Sequence, residues 1–428
     1  MSFGVIPRNG VSLGIGASPT LAKPPPWASL RLNFAETASL DSSITFTRGT
    51  NATYTNSAGN VQLTAGVNDA RFDYDPVTLA CKGLLIEEAR TNSLTYSEQF
   101  DNAAWAKTTT TVTANATTAP DGTVTADKCI TNNAAPYGLN SYFFAFTPLT
   151  KYTFSVYLKA AELTTAQIDF YTVETGDCGF SINLATGVIG ATFGTLDSYG
   201  VTSAGNGWYR AWAVKTTAAT VTSGQVQAYR SLVTGDGTSG YYTWGAQLEA
   251  GAFPTSYIPT TTAAATRNAD NAVMTGTNFS SWYNQTQGTL FAQVVYYAEL
   301  IASAAGTNNI FVDDSSNLNF VAIRTVSNPT NPQADISVYS GGVSQVDTAG
   351  AQPVLANTTY KRAFAFALNN MQAYVNAVTD GGAITSALMP VGVNRLVIGS
   401  GSLTAMWIAS ISYYPTRLPN ATLQALTV

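Results

Sequence analysis

The clearest pattern along this chain is the alternation of apolar and polar residues in short runs. In the segment KYTFSVYLK, residues 151–159, one set of alternate positions is apolar: Tyr152, Phe154, Val156 and Leu158. The intervening positions are Thr153, Ser155, Tyr157 and Lys159. A period of two places successive side chains on opposite faces of a β-strand. We therefore predict an antiparallel strand here with one buried and one solvent-facing side.

The same pattern recurs on both sides of this segment and predicts the domain organisation. Alternating runs such as GWYRAWAVK and YYTWGAQLE, separated by turns rich in Gly, Asn and Asp, predict a two-sheet sandwich over residues 93–260. The run PTTTAAAT, residues 259–266, has no period and is predicted to be the linker. Further alternating runs predict a second sandwich over residues 261–428. Only LPNATLQALT is helical in pattern, with Asn420 as its predicted N-cap.

The first 92 residues are predicted to form two smaller pieces. Residues 1–27 carry spaced glycines and end in KPPPW, and consecutive prolines favour a stiff extended segment, so we predict an attachment arm. Residues 28–92 hold short strands and turns, including RFDYDPVT, and are predicted to be a small β-rich region. The predicted fold class is all-β, with two antiparallel β-sandwiches following this region and its arm.

Charge and hydropathy exclude several classes of partner. Only 11% of the residues are charged, and the net charge of −5 is not offset by any basic cluster. Nucleic acid is therefore not expected as a partner. The longest apolar run, LFAQVVYYAELIASAAG, is interrupted by Gln293 and Glu299, so no membrane insertion is expected. The first residues lack a basic segment followed by an apolar one, and we expect no signal peptide.

Histidine is absent from the whole sequence, which removes the commonest catalytic chemistry. Ser-His-Asp and Cys-His triads and histidine-ligated zinc are excluded. The cysteines Cys81, Cys129 and Cys178 are odd in number and do not form a C-x-x-C motif. We expect them to be small buried side chains, although one disulfide pair is left open. No cofactor is predicted.

The segment GLLIEEARTN, residues 83–92, concentrates charge in a chain that has little of it. In an extended strand Glu87 and Glu88 point to opposite faces, so they cannot act together as an acid-base pair. Glu88 and Arg90 share a face, and a carboxylate beside a guanidinium holds a junction well. We predict that Glu88 and Arg90 form a structural clasp.

The remaining acids give little support for catalysis, and no catalytic residue is predicted. The E-x-D-x-x-E spacing of sandwich-fold glucanases is absent. The acids available to a hydrolase are Asp169, Glu174 and Asp177 in the first sandwich and Asp313, Asp314 and Asp335 in the second. Asp313 and Asp314, followed by Ser-Ser-Asn, could supply oxygen ligands to calcium or form a plain turn, and we predict no metal site.

Aromatic residues make up 11% of the chain and suggest a binding surface. A sugar ring has an apolar face rimmed by hydroxyls, which flat aromatic side chains beside amides recognise. Trp208, Trp212 and Trp244 are predicted on the core faces of strands. The aromatic residues predicted in asparagine-rich loops, and therefore predicted to bind carbohydrate, are Trp105, Tyr137 and Tyr142.

The segments GLLIEEARTN, YSEQFDNAAWAK and WGAQLEAGAFPTSYIPT together resemble a family of tailed-phage virion proteins. These are head-spike, head-fibre or tail-fibre proteins in which a jelly-roll, carbohydrate-binding-like module follows the LIEEARTN strand and ends at SYIPT. NRLVIGS and WIASISYYPTRLPNATLQAL are similar to the closing strands and helix of a concanavalin A or laminin-G-like sandwich. The resemblance covers residues 30–428.

The resemblance implies a structural protein on the virion surface, assembled in the host cytoplasm. Its arm would attach to other capsid or tail proteins, its sandwiches would bind host-surface polysaccharide, and it would be a homo-oligomer, either a trimer or associated with a capsid vertex. The motif residues that it marks as features of the fold are Glu87, Glu88, Arg90, Trp244, Gln247, Glu249 and Tyr257. Two alternatives remain open, a capsid decoration or connector protein that binds no glycan, and a polysaccharide depolymerase.

Overall fold

A computed structural model describes residues 27–231, 233–296, 307–326, 332–399 and 405–428. Within these ranges the protein consists almost entirely of antiparallel β-sheet, which confirms the predicted all-β class. The predicted arm lies outside the described residues except for Trp27, which is exposed. No helix in the described ranges has the length and apolar character needed to cross a membrane.

The first segment of the chain forms seven strands and one helical turn. These are β1 (Leu30–Asn33), α1 (Phe34–Thr37), β2 (Thr45–Thr47), β3 (Ala52–Thr55), β4 (Val61–Ala65), β5 (Arg71–Tyr74), β6 (Cys81–Glu87) and β7 (Arg90–Asn92). Strands β3 and β4 pair only with each other and form a separate hairpin.

The second segment forms a complete sandwich by itself. Its strands are β8 (Trp105–Thr108), β9 (Thr110–Thr117), β10 (Ala126–Thr131), β11 (Gly138–Phe144), β12 (Lys151–Ala160), β13 (Thr165–Thr172), β14 (Gly176–Asn183), β15 (Ile189–Phe193), β16 (Ser198–Ser203), β17 (Trp208–Thr216), β18 (Gly224–Ser231) and β19 (Gly240–Ala250). One sheet has the order β16-β17-β12-β19-β10-β9 and the other β15-β14-β13-β18-β11-β8. We call this unit the continuous sandwich.

The third segment contains the remaining strands and two helices. They are β20 (Ala265–Arg267), β21 (Asn271–Thr275), α2 (Thr277–Ser280), β22 (Gln287–Tyr296), β23 (Thr307–Asp313), β24 (Phe320–Val326), β25 (Gln333–Ser340), β26 (Val343–Pro353), β27 (Thr359–Ala367), β28 (Asn370–Val375), β29 (Val378–Ile384), β30 (Arg395–Ile398), β31 (Ala405–Tyr414) and α3 (Asn420–Leu426). The predicted C-terminal helix is present, but Pro419 and not Asn420 is its N-cap.

The second sandwich is assembled from the first and third segments together. Its sheets have the orders β29-β28-β27-β22-β31-β6-β5, with β1 also pairing to β31, and β2-β21-β30-β23-β24-β25-β26. The central register includes Leu85 opposite Trp407 and Phe46 opposite Ala272. We call this unit the split sandwich.

The small β-rich region predicted at residues 28–92 contributes β1, β2, β5 and β6 to the sandwich predicted at residues 261–428. Side chains from that region, including Leu32, Phe34 and Ile86, lie in the same hydrophobic core as Leu290 and Ile408. The strands of this region complete sheets that the third segment leaves unfinished. The pairing partners are hundreds of residues apart, so local periodicity could not reveal them.

The continuous sandwich is inserted between the two parts of the split sandwich. The chain leaves the first segment through β7 and returns through β20, and these strands pair with each other, with Asn92 opposite Ala265 and Arg90 opposite Arg267. The predicted linker at residues 259–266 therefore ends inside a paired strand. The chain therefore enters and leaves the continuous sandwich at adjacent positions, as expected for a domain inserted into a loop.

Strand β12 is buried on both faces, which corrects the prediction of a half-buried strand. Phe154 and Val156 face the interior as predicted, but Thr153, Ser155 and Tyr157 are buried as well. Tyr157 packs with Trp208, Trp244 and Tyr257 in a second, smaller core, and Val61 and Leu63 of the β3–β4 hairpin cover it. The outer face of this sheet is therefore an interface within the protein.

A β-bulge corrects the predicted face of Trp244. The pairing of β12 with β19 shifts register between Ser155 and Tyr157, and Gly245 has a positive φ of 61°. The extra residue reverses the alternation. As a result Trp244 lies in the outer core, whereas Ala246 and Leu248 lie in the sandwich interior.

Candidate functional site

A buried ionic network joins the three segments of the chain, and Glu87 is its centre. Glu87 is fully buried, and its Oε2 accepts from Arg71 Nη1 and Arg267 Nη1, both at 2.7 Å. The backbone N–H of Ser256, at the end of the continuous sandwich, donates to Glu87 Oε1 at 2.7 Å. Burial alone would raise the pKa of Glu87, but the two guanidinium groups and Ser256 lower it to about 2.

Asp270 extends this network to Arg48 on the first segment. Asp270 Oδ1 accepts from Arg48 Nη1 at 3.0 Å, while Oδ2 accepts from Arg71 and from the backbone N–H of Glu87. The network thus places three arginines against two carboxylates, and the side chains involved have almost no exposed surface. Backbone carbonyl groups also accept from the network, that of Gly66 from Arg48 Nη2 and that of Thr53 from Arg71 Nη1.

The predicted clasp residues lie beside this network. Arg90 Nη2 and Glu88 Oε1 form an ion pair, and Arg90 Nη1 donates to the carbonyl of Ala250. The Arg90 guanidinium also lies 4.9 Å from the centre of the Phe253 ring. Glu87, which the sequence argument set aside, has more charged partners than Glu88. A clasp function for Glu88 and Arg90 stays a prediction.

Beside the network, a cleft of about 400 Å³ opens where the two sandwiches and the β3–β4 hairpin meet. The first segment contributes Asp73 and Lys82, the continuous sandwich contributes β16, β17 and residues 252–254, and the split sandwich contributes Asn357 and Trp407. This volume lies within the usual range for small-ligand sites, and such sites occur preferentially between domains. We take this junction cleft as the candidate functional site.

The aromatic lining of the junction cleft comes from both sandwiches. The half-buried ring of Trp212 lies over Gly200 on the neighbouring strand, where a Cβ atom would be 2.5 Å from a ring carbon. Phe253 and Trp407 line other parts of the cleft. Trp212 is on the outer face of its sheet, so its predicted place on a core face is corrected.

The polar lining includes one carboxylate held in a fixed orientation. Asp73 accepts from the backbone N–H of Thr55 at 2.6 Å and from Trp407 Nε1 at 2.8 Å. Burial raises the pKa of Asp73, although Lys82 and these hydrogen bonds act in the opposite direction. Lys82 Nζ lies 3.8 Å from Asp73 Oδ2 and 4.3 Å from the centre of the Trp407 ring.

Arg210 supplies the second cation of the cleft and is held mainly by the protein. It donates to the carbonyl of Thr255 at 2.7 Å and to Ser155 Oγ at 2.9 Å, and it stacks 5.3 Å from the Tyr157 ring centre. Asp73 is the one carboxylate among the described lining residues. Glycoside hydrolysis of the usual type requires two carboxyl groups across the bond, and the described lining residues supply one of them.

The three aromatic residues predicted to bind carbohydrate differ in their exposure to solvent. Trp105 is only 1% exposed and packs 4.7 Å from Phe100 and 5.2 Å from Tyr142. Its Nε1 donates to the carbonyl of Tyr96, so Trp105 is a core residue and its predicted exposure is corrected. Tyr142 is half-buried, and Tyr137 is 40% exposed.

Four of the six acids considered for hydrolysis form ion pairs with arginines in the structure. Asp169 and Asp177 both accept from Arg230 Nη1, at 2.5 and 2.8 Å, which leaves no space for a sugar between them. Glu174 is exposed. In the split sandwich, Asp313 forms a bidentate pair with Arg395, Asp335 pairs with Arg324, and Asp314 closes a turn through Ser316 and Asn319.

Two further chemical predictions can be placed in the structure. The three cysteines are free thiols, with Cys129 and Cys178 buried and Cys81 half-buried. Among the residues that the structure describes, no group of three or more Cys, Asp or Glu side chains is placed to hold a metal ion. The Asp313–Asp314 segment forms the turn that was the alternative to a calcium site.

The sequence argument missed the residues that line the junction cleft. One signal was available, because Arg210 stands between Trp208 and Trp212 on one face of a strand, and a cation among aromatic residues is unusual in a core. Asp73 and Trp407 gave no signal, since they are 334 residues apart and meet only through the pairing of distant strands.

Comparison with solved structures finds partial, distant likenesses. They include a Trypanosoma rangeli sialidase in complex with the inhibitor DANA (14% identity, 36% of this chain, 25% of that chain, TM-score 0.28). Others are the CBM40 of the Ruminococcus gnavus IT-sialidase bound to α2,3 sialyllactose (12%, 35%, 88%, TM-score 0.30) and the binding domain of botulinum neurotoxin DC in complex with rat synaptotagmin II (13%, 37%, 40%, TM-score 0.29).

The match thus spans a quarter of the length of that sialidase and 40% of the toxin domain. No family model matches the sequence, and no curated protein matches it. With TM-scores of 0.28 to 0.30, these likenesses carry no argument about ligand or activity. The residues of the junction cleft therefore provide the basis for inferring a function.

Proposed function

We propose that this protein is a non-catalytic, lectin-like protein that binds glycans in the junction cleft. The observation that carries the proposal is the combination of Trp212 and Phe253 with the polar side chains of Asp73, Lys82 and Asn357 in one cleft of about 400 Å³. An aromatic ring covers the apolar face of a sugar, and the neighbouring polar groups bond to its hydroxyls.

The fixed orientation of the polar groups supports binding. Asp73 is held by Thr55 and Trp407, and Arg210 is held by Thr255 and Ser155, so these side chains lose little conformational entropy when a ligand binds. A site prepared in this way gains affinity without large contact area. The single lining carboxylate supports a binder over a depolymerase.

We further propose that the protein is displayed on a phage particle, where an arm at residues 1–27 anchors it to capsid or tail proteins. The support is the sequence resemblance, two of whose motif residues, Glu87 and Tyr257, form hydrogen bonds between the first segment and the end of the continuous sandwich. Several copies in a homo-oligomer would make weak individual sites effective through avidity against a host-surface polysaccharide.

A glycan array probed with the full chain tests the glycan-binding proposal. We expect Trp212→Ala to reduce binding by up to about tenfold, because aromatic stacking contributes roughly 0.5–1.5 kcal/mol beyond the apolar area it buries. Tyr137→Ala is the matched comparison, since Tyr137 is an exposed aromatic outside the cleft and the accessible member of the predicted trio. Loss of binding only with Tyr137→Ala would move the site to the predicted loop.

An activity assay separates binding from cleavage. Incubating the purified chain with each polysaccharide that it binds should release no reducing ends. Release that disappears with Asp73→Asn would show that the junction cleft is a hydrolase site and would overturn the proposal of a non-catalytic protein.

A further inference from the structure

The charge of the junction cleft has a definite sign, and Lys82 determines how a ligand would meet it. The charged lining residues are Asp73, Lys82 and Arg210, so two cations face one carboxylate. Both oxygens of Asp73 already accept hydrogen bonds, and Arg210 is held by Thr255 and Ser155. The cleft therefore has a surplus positive charge.

Lys82 is the cation that remains able to bond to a ligand. Its nearest carboxylate oxygen, Asp73 Oδ2, is 3.8 Å from Nζ, which is beyond hydrogen-bond distance. Its side chain is 27% exposed, and its ammonium group lies 4.3 Å from the centre of the Trp407 ring. An ammonium group has three donors. Asp73 and Trp407 hold it in place without using those donors.

The residues that line the junction cleft also limit the kind of anion that can bind there. The half-buried ring of Trp212 lines the same cleft as this ammonium group, and an inorganic anion would leave that apolar surface uncovered. A sugar that bears an acidic group satisfies both features, because its ring faces the aromatic side chains while its charge meets the cation. A nucleic acid does not suit a protein whose net charge is −5.

We propose that the junction cleft selects an acidic saccharide, with the carboxylate of a uronic-acid-type sugar bound by Lys82. This inference rests on the proposed glycan binding and specifies its ligand class. A neutral sugar would still contact the aromatic residues, but it would leave the surplus charge of the cleft unmatched.

The experiment compares two probes that differ only in charge. Oligogalacturonate and its methyl ester are titrated calorimetrically into the full chain at low and at high salt. We expect the acid form to bind roughly tenfold or more tightly than the ester, as a hydrogen bond to a charged group implies. This preference should shrink as salt increases, because Lys82 is partly exposed.

Variants assign the preference to Lys82. Lys82→Met should bind acid and ester equally, whereas Lys82→Arg should keep the preference because it keeps the charge. Lys128→Met is the matched control, since Lys128 pairs with Glu162 away from the cleft. Circular dichroism of each variant establishes that it is folded before the titration is interpreted.

The possible outcomes distinguish the selection of acidic sugars from the proposal of glycan binding on which it rests. Equal binding of acid and ester by the wild-type chain would overturn the selection of acidic sugars and leave glycan binding standing. A preference that survives Lys82→Met in the folded variant would overturn the role of Lys82. If sulfated galactan bound while oligogalacturonate did not, the commitment to a carboxylate would fail. Absence of binding to these probes and to every glycan on the array would overturn both proposals.

Discussion

The two sandwiches are built in opposite ways. The continuous sandwich takes its strands β8–β19 from one uninterrupted stretch of chain, while the split sandwich closes its sheets with β1, β2, β5 and β6 from the first segment. Both bury a large apolar core, but only the second must bring together residues that are hundreds of positions apart. The difference teaches that the inserted module completes its sheets within one stretch of chain and that its host does not.

The place where the two are joined reflects this difference. Side chains from all three segments converge on Glu87, and the junction cleft opens beside the same contacts. The cleft therefore exists only when the first segment is folded into the split sandwich. Its ligand would stabilise that assembled state by mass action.

Dividing the chain should give the largest effect. A fragment of residues 93–260 retains every strand of the continuous sandwich and should unfold cooperatively in urea. A fragment of residues 261–428 lacks four strands and should remain largely unfolded, since β31 loses its partners β1 and β6. Circular dichroism and limited proteolysis measure both outcomes.

A shortened chain that keeps the first segment tests whether the missing strands are the reason that the fragment of residues 261–428 does not fold. Joining Asn92 to Ala265 through a short Gly/Ser linker removes the continuous sandwich, and the paired positions of these residues make the linker feasible. This shortened chain should fold. A cooperative transition in the fragment of residues 261–428 alone would contradict the picture of a split sandwich.

Breaking the centre of the junction should be the next largest effect. Glu87→Gln removes a charge from between Arg71 and Arg267 and leaves both guanidinium groups buried without their shared carboxylate. Removing one partner of a buried ion pair typically costs about 3–5 kcal/mol. Urea denaturation should show this loss in the free energy of unfolding of the split sandwich.

Glu162→Gln is the control for loss of a glutamate charge. The Glu162 side chain is 53% exposed and pairs with Lys128 at 2.7 Å, so its removal should cost less than about 1 kcal/mol. Equal losses for the two variants would mean that the buried network does not hold the junction together.

Two buried carboxyl groups predict opposite responses to pH. The pKa of Glu87 is lowered to about 2, so its stabilisation is present above its ordinary value of 4.5 and is lost as the pH falls toward 2. Burial raises the pKa of Asp127 in the continuous sandwich from 3.8 to about 6. Its ionisation therefore costs stability as the pH rises through this range, and the full cost applies above pH 6.

Hydrogen exchange followed separately in the two regions measures this contrast. From pH 6 to pH 4, protection of β10 should increase, and from pH 4 to pH 2, protection of β6 should decrease after correction for intrinsic exchange rates. Asp127→Asn should remove the first change and Glu87→Gln the second. Parallel changes in the two strands would show that the sandwiches do not respond separately.

The sequence revealed those parts of the fold that depend on local pattern. The alternation in residues 151–159 and in the later segments located strands correctly, and the spacing of Leu423 in LPNATLQALT located a helix. The predictions that failed concern contacts between residues that are far apart in the sequence. The β3–β4 hairpin covers Tyr157 of β12, Thr153 bonds to Gly251 and Ser155 to Arg210, and nothing in the strand itself predicts that these side chains are buried.

The candidate site was less predictable than the fold, for the same reason. Tryptophans on a strand indicate apolar surface, but whether Trp105 or Trp212 faces solvent depends on which other segments pack against each. Asp73 and Lys82 stand in unremarkable short strands. Both residues contact Trp407, which lies near the C-terminal end of the chain, so their place in a cleft is evident only in the folded structure.

The smallest effect on stability, but a specific effect on binding, is expected from Gly200→Ala. A Cβ at Gly200 would lie 2.5 Å from the Trp212 ring, so the indole must move out of its place in the cleft. Because Gly200 is on the edge strand β16, the free energy of unfolding should change by less than about 1 kcal/mol. Affinity for an array-identified glycan should fall several-fold.

Gly382→Ala is the matched control, since a Cβ there meets no atom within 4 Å and Gly382 is remote from the cleft. It should change neither stability nor affinity. If Gly200→Ala left affinity unchanged while fluorescence showed that Trp212 had moved, the aromatic face of the continuous sandwich would not contact the sugar. Binding would then have to depend on Lys82, Asp73 and Trp407. The split sandwich, and not the continuous sandwich, would contact the ligand.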